Sequence, residues 1–414
     1  MKKRSLLVLA LTLIVLIFAL VTGFPLLMRL FYVLTLAIAG GYLWAWLNLR
    51  WLEAHIERRT QRVHVGQPVE ERITVRNTSF LPKPWLEVTD LTDIPGHYTG
   101  QVVGLTGRGF RSWRTRTLAR RRGVFTLGPL RIATGDPFGV FRLERSYHGQ
   151  QQVIVLPAVV PITRFFVPSA DLTGDGQLRL RSQQVSPHVA SVRDYLAGDS
   201  LSRIHWPSTA RQGRLMVKEF DLGLTSDIWV LLDMEAAAHA AQGEETTEEL
   251  AVTAAASLAR YFLGRRLPVG FAASGADFSL LPPDSHGIQD GRILDLLSRA
   301  QANGDVSLVQ AVARLDSLLT RHTTLVVVTP SAEPSWLEAM GVLGQRGVRL
   351  AAVLVDATSF GGADTSALAP LLRTLGVAPY VVGKGDNLAA ALDHPVALHW
   401  DARVGVAVAP GGRA

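Results

Sequence analysis

Ile228-Trp229-Val230-Leu231-Leu232-Asp233, running on into Met234-Glu235-Ala236-Ala237, is a continuous apolar run that ends in an acid. A half-exposed strand alternates apolar with polar residues, and this run does not. It reads as a strand covered on both faces. Downstream, Glu244 to Arg266 predicts a helix, with Glu244, Glu245, Glu248 and Glu249 in its first turns and Arg265 and Arg266 in its last. That order of charge suits the helix dipole. Pro268 to Ala273, Thr324 to Val328, Leu350 to Val355 and Tyr380 to Val382 read as further strands. Arg292 to Ala300, Leu308 to Leu319, Ser335 to Leu343 and Ser366 to Leu375 read as helices between them. Apolar strands alternating with helices imply a parallel sheet covered on both faces, an α/β doubly wound domain over residues 221–414. The tail from Val404 to Ala414 should fray.

Upstream lies Ser191 to Phe220, SVRDYLAGDSLSRIHWPSTARQGRLMVKEF, in the segment 166–220 that leads into this domain. It is too charged for a buried strand and too aromatic for a flexible linker. Gly198-Asp199 suits a turn, with the Asp accepting from local backbone donors. Arg203 and Arg211 could each fork onto a carboxylate. Three readings compete. In the first, Asp194, Asp199, Arg203 and Arg211 pair internally and clasp the link between domains. In the second, Arg193, Asp194, Tyr195, Gly198, Asp199, Arg203, His205, Trp206 and Arg211 form a partner-binding surface, because Arg, Trp and Tyr are the residues enriched in binding hot spots. In the third, His205 with Asp199 or Asp194 acts as a base. No Ser, Thr or Lys nucleophile sits in a recognisable motif beside that base, so no catalytic residue is assigned.

Residues 51–165 follow a different rhythm. In Arg72-Ile73-Thr74-Val75-Arg76, Ile73 and Val75 share one face while polar residues take the other. Turn formers recur at Asn77-Thr78-Ser79, Pro82 to Pro84, Asp93 to Gly96, Gly107 to Gly109, Gly128-Pro129 and Asp136-Pro137-Phe138-Gly139. Short strands with regular turns predict an all-β sandwich, immunoglobulin-like by default. Arg108, Arg111, Arg114, Arg116, Arg120, Arg121 and Arg122 form a dense basic cluster. It could meet anionic lipid headgroups, at ~1 kcal/mol per basic residue near the surface. Equally, Arg114 and Arg116 alternate with Thr115 and Thr117, as on a solvated strand face. Phe110 and Trp113 make a thin platform for stacking bases, so no nucleic-acid partner is expected; a steep salt dependence would mark one.

Residues 1–50 read as a transmembrane hairpin. Ser5 to Thr22 and Leu30 to Leu47 are uncharged and mostly apolar, each near the lower limit of ~17 residues for crossing ~30 Å of hydrocarbon. The joint, Gly23 to Arg29, is short and holds Pro25. Trp44, Trp46 and Trp51 suit an interfacial belt. Lys2, Lys3 and Arg4 precede the first span, and Arg50, Arg58, Arg59 and Arg62 follow the second, while the joint carries only Arg29. The positive-inside rule therefore places both termini and the soluble domains in the cytoplasm, at the cell membrane. A cleaved signal peptide is disfavoured, because a second span follows at once and no small-x-small site precedes it. The chain has 414 residues, a net charge of +7 and no cysteine. Disulfides, thiolate zinc sites and a cysteine nucleophile are excluded. No Gly-x-x-x-x-Gly-Lys-Ser/Thr, Gly-x-Ser-x-Gly or His-Glu-x-x-His pattern occurs, so P-loop, hydrolase and zincin chemistry find no motif.

The Arg193-x-Tyr195-x-x-Gly198-Asp199 turn and Arg203-x-x-Trp206, with a small-residue-plus-Arg element after them, resemble the signature of the domain-of-unknown-function 58 (DUF58) family. Arg121-Arg122-Gly123-Val124-Phe125-Thr126-Leu127-Gly128-Pro129-Leu130 and Asp136-Pro137-Phe138-Gly139 are similar to its upstream signature. The resemblance implies a bacterial or archaeal protein whose C-terminal half is von Willebrand factor A-like, with a metal motif Asp-x-Ser-x-Ser after the first strand, a distant Thr and a second Asp. Here Asp233 holds the first place, but Met234-Glu235-Ala236-Ala237 has lost both serines, and Thr329-Pro330-Ser331 stands where an Asp is expected. Asp233 and Glu235 remain as a degenerate metal pair. Their ligand count weighs against Mg²⁺ or Ca²⁺, and no cofactor is expected. The alternative is that Asp233 caps a helix or pairs with an Arg. The resemblance also implies work with a MoxR-type AAA ATPase. The expected function is thus a membrane-anchored adaptor that binds protein partners and is not an enzyme. The alternative is an enzyme acting on envelope material or a nucleotide through His205 and Asp199.

Overall fold

The computed structural model describes residues 2–98, 100–147, 149–167, 191–194, 204, 206–219, 227–242, 245–321 and 323–396. The chain divides into two compact units, Met1–Pro157 and Ala158–Ala414.

The first unit opens with α1 (Lys2–Thr22) and α2 (Pro25–Leu49). Both are long and apolar enough to cross a membrane. The expected joint from Gly23 to Arg29 contracts to Gly23 and Phe24. Pro25 sits at the first helical position, where its missing N–H costs nothing, so α2 begins five residues earlier than expected and takes Arg29 into its first turns. At its other end α2 buries Gly41, Ala45, Asn48 and Leu49, one helical face. That face packs against β4, β7 and β8, defined below. Lys83, 1% exposed, donates from Nζ to the Leu47 carbonyl, placing a cation at the helix C-terminus.

Strands β1 (Leu52–Arg58), β2 (Arg62–His64), β3 (Pro68–Asn77), β4 (Lys83–Thr92), β5 (Gln101–Leu105), β6 (Phe110–Leu118), β7 (Gly123–Gly135), β8 (Arg142–Tyr147) and β9 (Gln151–Leu156) follow. One sheet has the order β1-β3-β6; the other runs β2-β9-β7-β4-β5, with β8 on β7. Ile73 and Val75 from the first sheet meet Leu86, Val88, Val103, Leu130 and Ile132 from the second in one core. The period-two reading of Arg72 to Arg76 was sound, since Ile73 and Val75 are fully buried. Gly128-Pro129, expected to be a turn, lies inside β7. Residues 123–127 of β7 pair with β9, and residues beyond Pro129 with β4 and β8. Gly128 has φ +94° at this change of partner, a conformation that suits glycine.

The basic cluster is not one surface. Arg111, Arg114 and Arg116 are exposed on β6, and Arg116 pairs with Glu70 at 2.8 Å, whereas Arg122 is buried. Trp113 packs on the core while Phe110 is exposed, so the two rings do not form a platform.

The second unit starts with a strap, residues 158–167. Val160 donates to Ser257 Oγ at 3.0 Å, and Phe165 stacks on Tyr380 with ring centroids 4.5 Å apart. The Tyr380 hydroxyl lies 2.8 Å from the Phe166 carbonyl; burial pushes its pKa up to about 12. Next come β10 (Ser191–Asp194), α3 (Trp206–Gln212), β11 (Met216–Glu219), β12 (Ile228–Leu232), the short pair β13 (Ala241–Gln242) and β14 (Glu245–Thr246), and α4 (Thr247–Gly264). Thr246 caps α4, accepting from the Glu249 amide at 3.1 Å. After it come β15 (Val269–Ser274), β16 (Phe278–Asp284), α5 (Ile288–Arg299), α6 (Leu308–Leu315), β17 (Thr324–Thr329), α7 (Ser335–Gln345), β18 (Arg349–Val355), α8 (Leu368–Thr374), β19 (Ala378–Val382) and α9 (Leu388–Asp393).

The sheet order is β16-β15-β12-β17-β18-β19. Every pairing is parallel except β15 with β16. The all-parallel expectation is corrected there. Phe278 to Asp284 contains Pro282 and Pro283, which cannot donate to a ladder, so the sequence demotes it and the fold places it at an edge. Trp229 and Leu231 pack under α6, α7 and α8 through Leu308, Trp336, Met340 and Leu372. Val230 and Leu232, equally buried, point to the opposite face. α4 packs on β12, β15, β17 and β18. The central strand is thus covered on both sides, as its unbroken apolar run requires.

Candidate functional site

Three strand ends converge just past β12. The Asp233 amide still donates to Val328 at 2.9 Å, so the chain follows the sheet one residue further before turning. Its carboxylate is 0% exposed. Oδ2 accepts from Thr329 Oγ1 at 2.6 Å, at the end of β17. Oδ1 accepts from the Glu235 amide at 3.1 Å and from Ser274 Oγ, at the end of β15, at 3.4 Å. Ser274 Oγ in turn accepts from the Met234 amide at 3.0 Å, and Thr329 Oγ1 from the Ser331 amide at 2.9 Å. Gly304 closes the floor: its amide donates to Met234 at 3.2 Å and its carbonyl accepts from Ala236 at 2.9 Å. A Cβ there would stand 2.4 Å from the Ser274 carbonyl, so only glycine fits. His239 Nε2 donates to the Asp233 carbonyl at 2.9 Å, and Nδ1 lies 3.0 Å from Thr247 Oγ1.

The electrostatics follow from burial. Removal from water pushes the Asp233 carboxyl above its ordinary range, and the Thr329 hydrogen bond offsets part of this. Glu235 is also raised, first by burial, then by the charges of Asp233 and Glu333. Among the described residues Asp233 neither caps a helix nor pairs with an Arg; hydroxyl and amide donors hold it. Those donors also answer the metal question. Asp233, Ser274 and Thr329 gather three oxygen-bearing side chains, short of the six to eight ligands Ca²⁺ takes, and the hydroxyls already serve the carboxylate. Among the described residues, the His and acidic groups whose ligand atoms all lie within 4.8 Å of one another are Glu71, Asp90 and His97, in the other unit. Around Asp233 the side chains fall short of a Ca²⁺ cage, while Mg²⁺, which keeps several waters, would need fewer of them. What the arrangement does is fix a rigid strand-end platform with half-buried Glu235 and exposed Glu333 beside it.

The signature segment is partly placed. Tyr195, Gly198, Asp199, Arg203 and His205 lie outside the described residues. Arg193 and Asp194 lie on β10, antiparallel to β11 and opposite Val217 and Met216. Between the strands, α3 carries Trp206 and Arg211. Met216 is buried, and its amide donates to Thr209 Oγ1 at 3.0 Å, tying β11 to the helix. Gly213, at φ +66°, ends the helix with its amide on the Thr209 carbonyl at 2.9 Å. Trp206 is 65% exposed, and Arg211 is exposed. The described part of the segment, β10, α3 and β11, thus holds an indole out to solvent.

The first unit contains a polar cluster that sequence reading missed. Arg58, expected to sit among the basic flanks of the spans, has a side chain only 4% exposed. Its Nε donates to Glu71 Oε1 at 2.9 Å, and its Nη2 to both Asp90 oxygens at 2.8 and 2.9 Å. His97 completes the group, with Nδ1 2.6 Å from Thr117 Oγ1 and Nε2 3.6 Å from Glu71 Oε2. Burial, then the Asp90 charge, pushes Glu71 up despite its Arg58 partner; burial pushes His97 down. Glu71 stands in phase with Val69, Ile73 and Val75 on the buried face of β3, and that period-two spacing is the sequence signal that an acid faces inward there.

Comparison with known proteins gives a family-model match over part of the chain. Residues 191–359 match the family model described as "Protein of unknown function DUF58". The match runs from β10 past β18; the second signature, residues 121–139, lies outside it. "Uncharacterized protein YeaD" of Bacillus subtilis (strain 168) is 22% identical over 269 residues, 63% of this chain and 64% of that protein. The chain thus spans less than two thirds of that relative's length. Among solved structures, the CARDB domain of the PF1109 protein from Pyrococcus furiosus is 15% identical, covering 25% of this chain and 87% of its own, at a TM-score of 0.20. The C-terminal domain of wzt is 13% identical, covering 26% and 75%, at 0.21. Likenesses this slight carry no argument.

Proposed function

We propose that this DUF58-containing chain is a membrane-anchored adaptor that binds a protein partner through the α3 element of its second unit. The observation that carries the reading is Trp206. A large aromatic side chain 65% exposed on a short helix that also carries Arg211 is costly to leave in water, and Trp and Arg are the types that dominate binding hot spots. The two apolar helices are the anchor, and the basic residues at the start of α1, ahead of its apolar span, and after α2 favour cytoplasmic termini. Family resemblance names the partner class, a MoxR-type AAA ATPase. The sheet order, with its antiparallel edge and an acid at the end of the central strand, supports a von Willebrand factor A-like reading of the second unit. Glu235 and Glu333 then offer carboxylates to a basic group on the partner, in the place where open α/β sheets receive ligands.

The test is binding of the full-length protein in lipid nanodiscs to the purified ATPase. Trp206→Ala should cost about 2 kcal/mol or more, roughly 30-fold in Kd. A photo-crosslinker at position 206 should capture the ATPase. Wild-type affinity in both Trp206→Ala and Arg211→Ala, with no crosslink, removes the basis of the proposal.

A further inference from the structure

The end of the β domain that meets the helical hairpin carries large exposed aromatics on several separate loops and strand ends. Phe80 is 78% exposed, Phe110 70%, Phe138 69% and Trp85 53%. Topology places them together. β1 begins directly after α2, and Leu52 pairs with Asn77, so the Asn77 end of β3 is the hairpin end. Phe110 pairs with Arg76 beside it. Phe80 sits in the loop after Asn77, where the Thr78 amide donates to the Trp51 carbonyl at 2.9 Å. Trp85 follows Lys83, which reaches the last turn of α2.

Phe138 goes furthest along the helix. Its loop, residues 136–141, is a tight, internally capped structure. The Asp136 carboxylate accepts from the amides of Phe138, at 2.9 Å, and Phe141. The Asp136 amide donates to the Phe141 carbonyl at 3.2 Å, and Gly139 returns to Asp136 at 3.1 Å with φ +70°. This loop rests on the hairpin itself. A Cβ on Gly41 would stand 3.3 Å from Asp136 Oδ2, the Tyr42 and Phe141 rings meet edge to face at 5.6 Å, and Ser5 Oγ donates to the Val140 carbonyl at 3.0 Å. Pro137, Phe138 and Gly139 nevertheless point into open space.

Helix length fixes the depth. At 1.5 Å per residue, Gly41 lies about 24 Å from Pro25, whereas hydrocarbon is ~30 Å thick. If α2 starts at one boundary, Gly41 has not yet reached the other, and any tilt brings it deeper. Arg29 reaches the opposite interface by extending its stem. We infer that the 136–141 loop is a membrane-inserting wedge: Phe138 enters the bilayer interface, and Phe80, Trp85 and Phe110 rest at shallower depth among the headgroups. Exposed Arg76, Arg108 and Arg111 on the same end match an anionic leaflet. The inference rests on the proposed spanning of the hairpin.

The experiment separates the two. The chain has no cysteine, so single cysteines take a polarity-sensitive fluorophore cleanly. Full-length Phe138→Cys, Pro137→Cys, Phe80→Cys, Leu36→Cys and Tyr98→Cys variants are labelled and reconstituted in phosphatidylcholine–phosphatidylglycerol vesicles. Quenching by nitroxides at defined depths on the lipid is then read. Leu36 should be quenched by deep nitroxides, Phe138 and Pro137 by shallow acyl-chain ones, Phe80 by headgroup ones and Tyr98 by none. Emission at position 138 should shift to the blue on reconstitution. Leu36 quenched with 137 and 138 in water overturns the wedge while the spans stand. Leu36 unquenched overturns the membrane reading itself. A blue shift at 138 without lipid quenching means protein contact, and also overturns the wedge.

Discussion

Each unit buries carboxylates, and the two units treat them in opposite ways. In the β domain, Glu71 and Asp90 share one guanidinium, and His97 completes a closed cluster of side chains at 0–4% exposure. In the α/β domain, Asp233 is equally sealed, but among the described residues no Arg or Lys pairs with its side chain; two hydroxyls and an amide hold it. The first arrangement is a staple, joining β1, β3 and β4 across both sheets of one core. The second sits at the carboxyl ends of parallel strands, where backbone amides and small hydroxyls converge because three strands stop there. A charge paired with a charge is bound to its partner. A carboxyl held by hydroxyls is cheaper to alter and leaves the surface above it free for recognition.

The contrast breaks most visibly at Arg58. Arg58→Met strands two buried acids, and removing one member of a buried ion pair costs about 3–5 kcal/mol. Hydrogen exchange resolved by peptide should speed up throughout residues 52–156, with the second unit unchanged. Replacing Arg58, Glu71 and Asp90 together with apolar residues of similar volume should recover most of the loss, since a buried pair is often no better than its apolar substitute. If the triple variant is as weak as the single one, the cluster contributes more than mutual neutralisation.

Asp233→Ala is expected to cost less, about 1–3 kcal/mol, because it leaves two hydroxyls and an amide unpaired but no charge. Its pH signature sharpens the comparison. Burial raises Asp233, so the folded state holds its proton to higher pH than the unfolded chain does. The associated stability is fully present below the ordinary Asp range and is lost as pH rises through the folded value. Asp233→Asn should flatten that slope in exchange rates for the second unit. In the first unit, Glu71 has the same sign, while His97, lowered by burial, loses its contribution as pH falls through its folded value. The two partly cancel there, so the first unit should show the shallower profile.

Much of this was legible beforehand where periodicity carries the information. The strand Ile228–Leu232, the body of the helix read over Glu244 to Arg266 and the alternation at Ile73 and Val75 follow from runs and periods that local physics enforces, though the helix spans only Thr247–Gly264, with Glu245 before it and Arg265 and Arg266 after it. The β16 edge was only half legible, because Pro282 and Pro283 bar a central strand and allow a peripheral one without telling an edge strand from a loop. Asp233 could be singled out from its place after an apolar run. Ser274 and Thr329 could not, since what joins them to Asp233 is parallel register between strands far apart in sequence. Arg58 misled for the same reason. Beside Arg59 it reads as one more basic flank, and only the pairing of β1 with β3 turns its side chain onto Glu71.

The smallest effect tests whether location, not residue type, makes the difference. Arg116 also pairs with a glutamate of β3, Glu70, the neighbour of Glu71, at 2.8 Å; Arg58 reaches Glu71 at 2.9 Å. Contact distance therefore does not separate the two pairs. Exposure does: the Arg116 and Glu70 side chains are 66% and 44% exposed, against 4% and 0% for Arg58 and Glu71. Water screens the outer pair, and holding two long side chains together costs entropy, so Arg116→Ala should change stability by less than about 1 kcal/mol. Salt should erase what effect there is, because the Debye length falls to ~3 Å at 1 M. The Arg58→Met defect should persist at that ionic strength. An Arg116→Ala loss that rivals Arg58→Met, or an Arg58→Met defect that salt removes, would mean that burial is not what separates the inner arginine from the outer one.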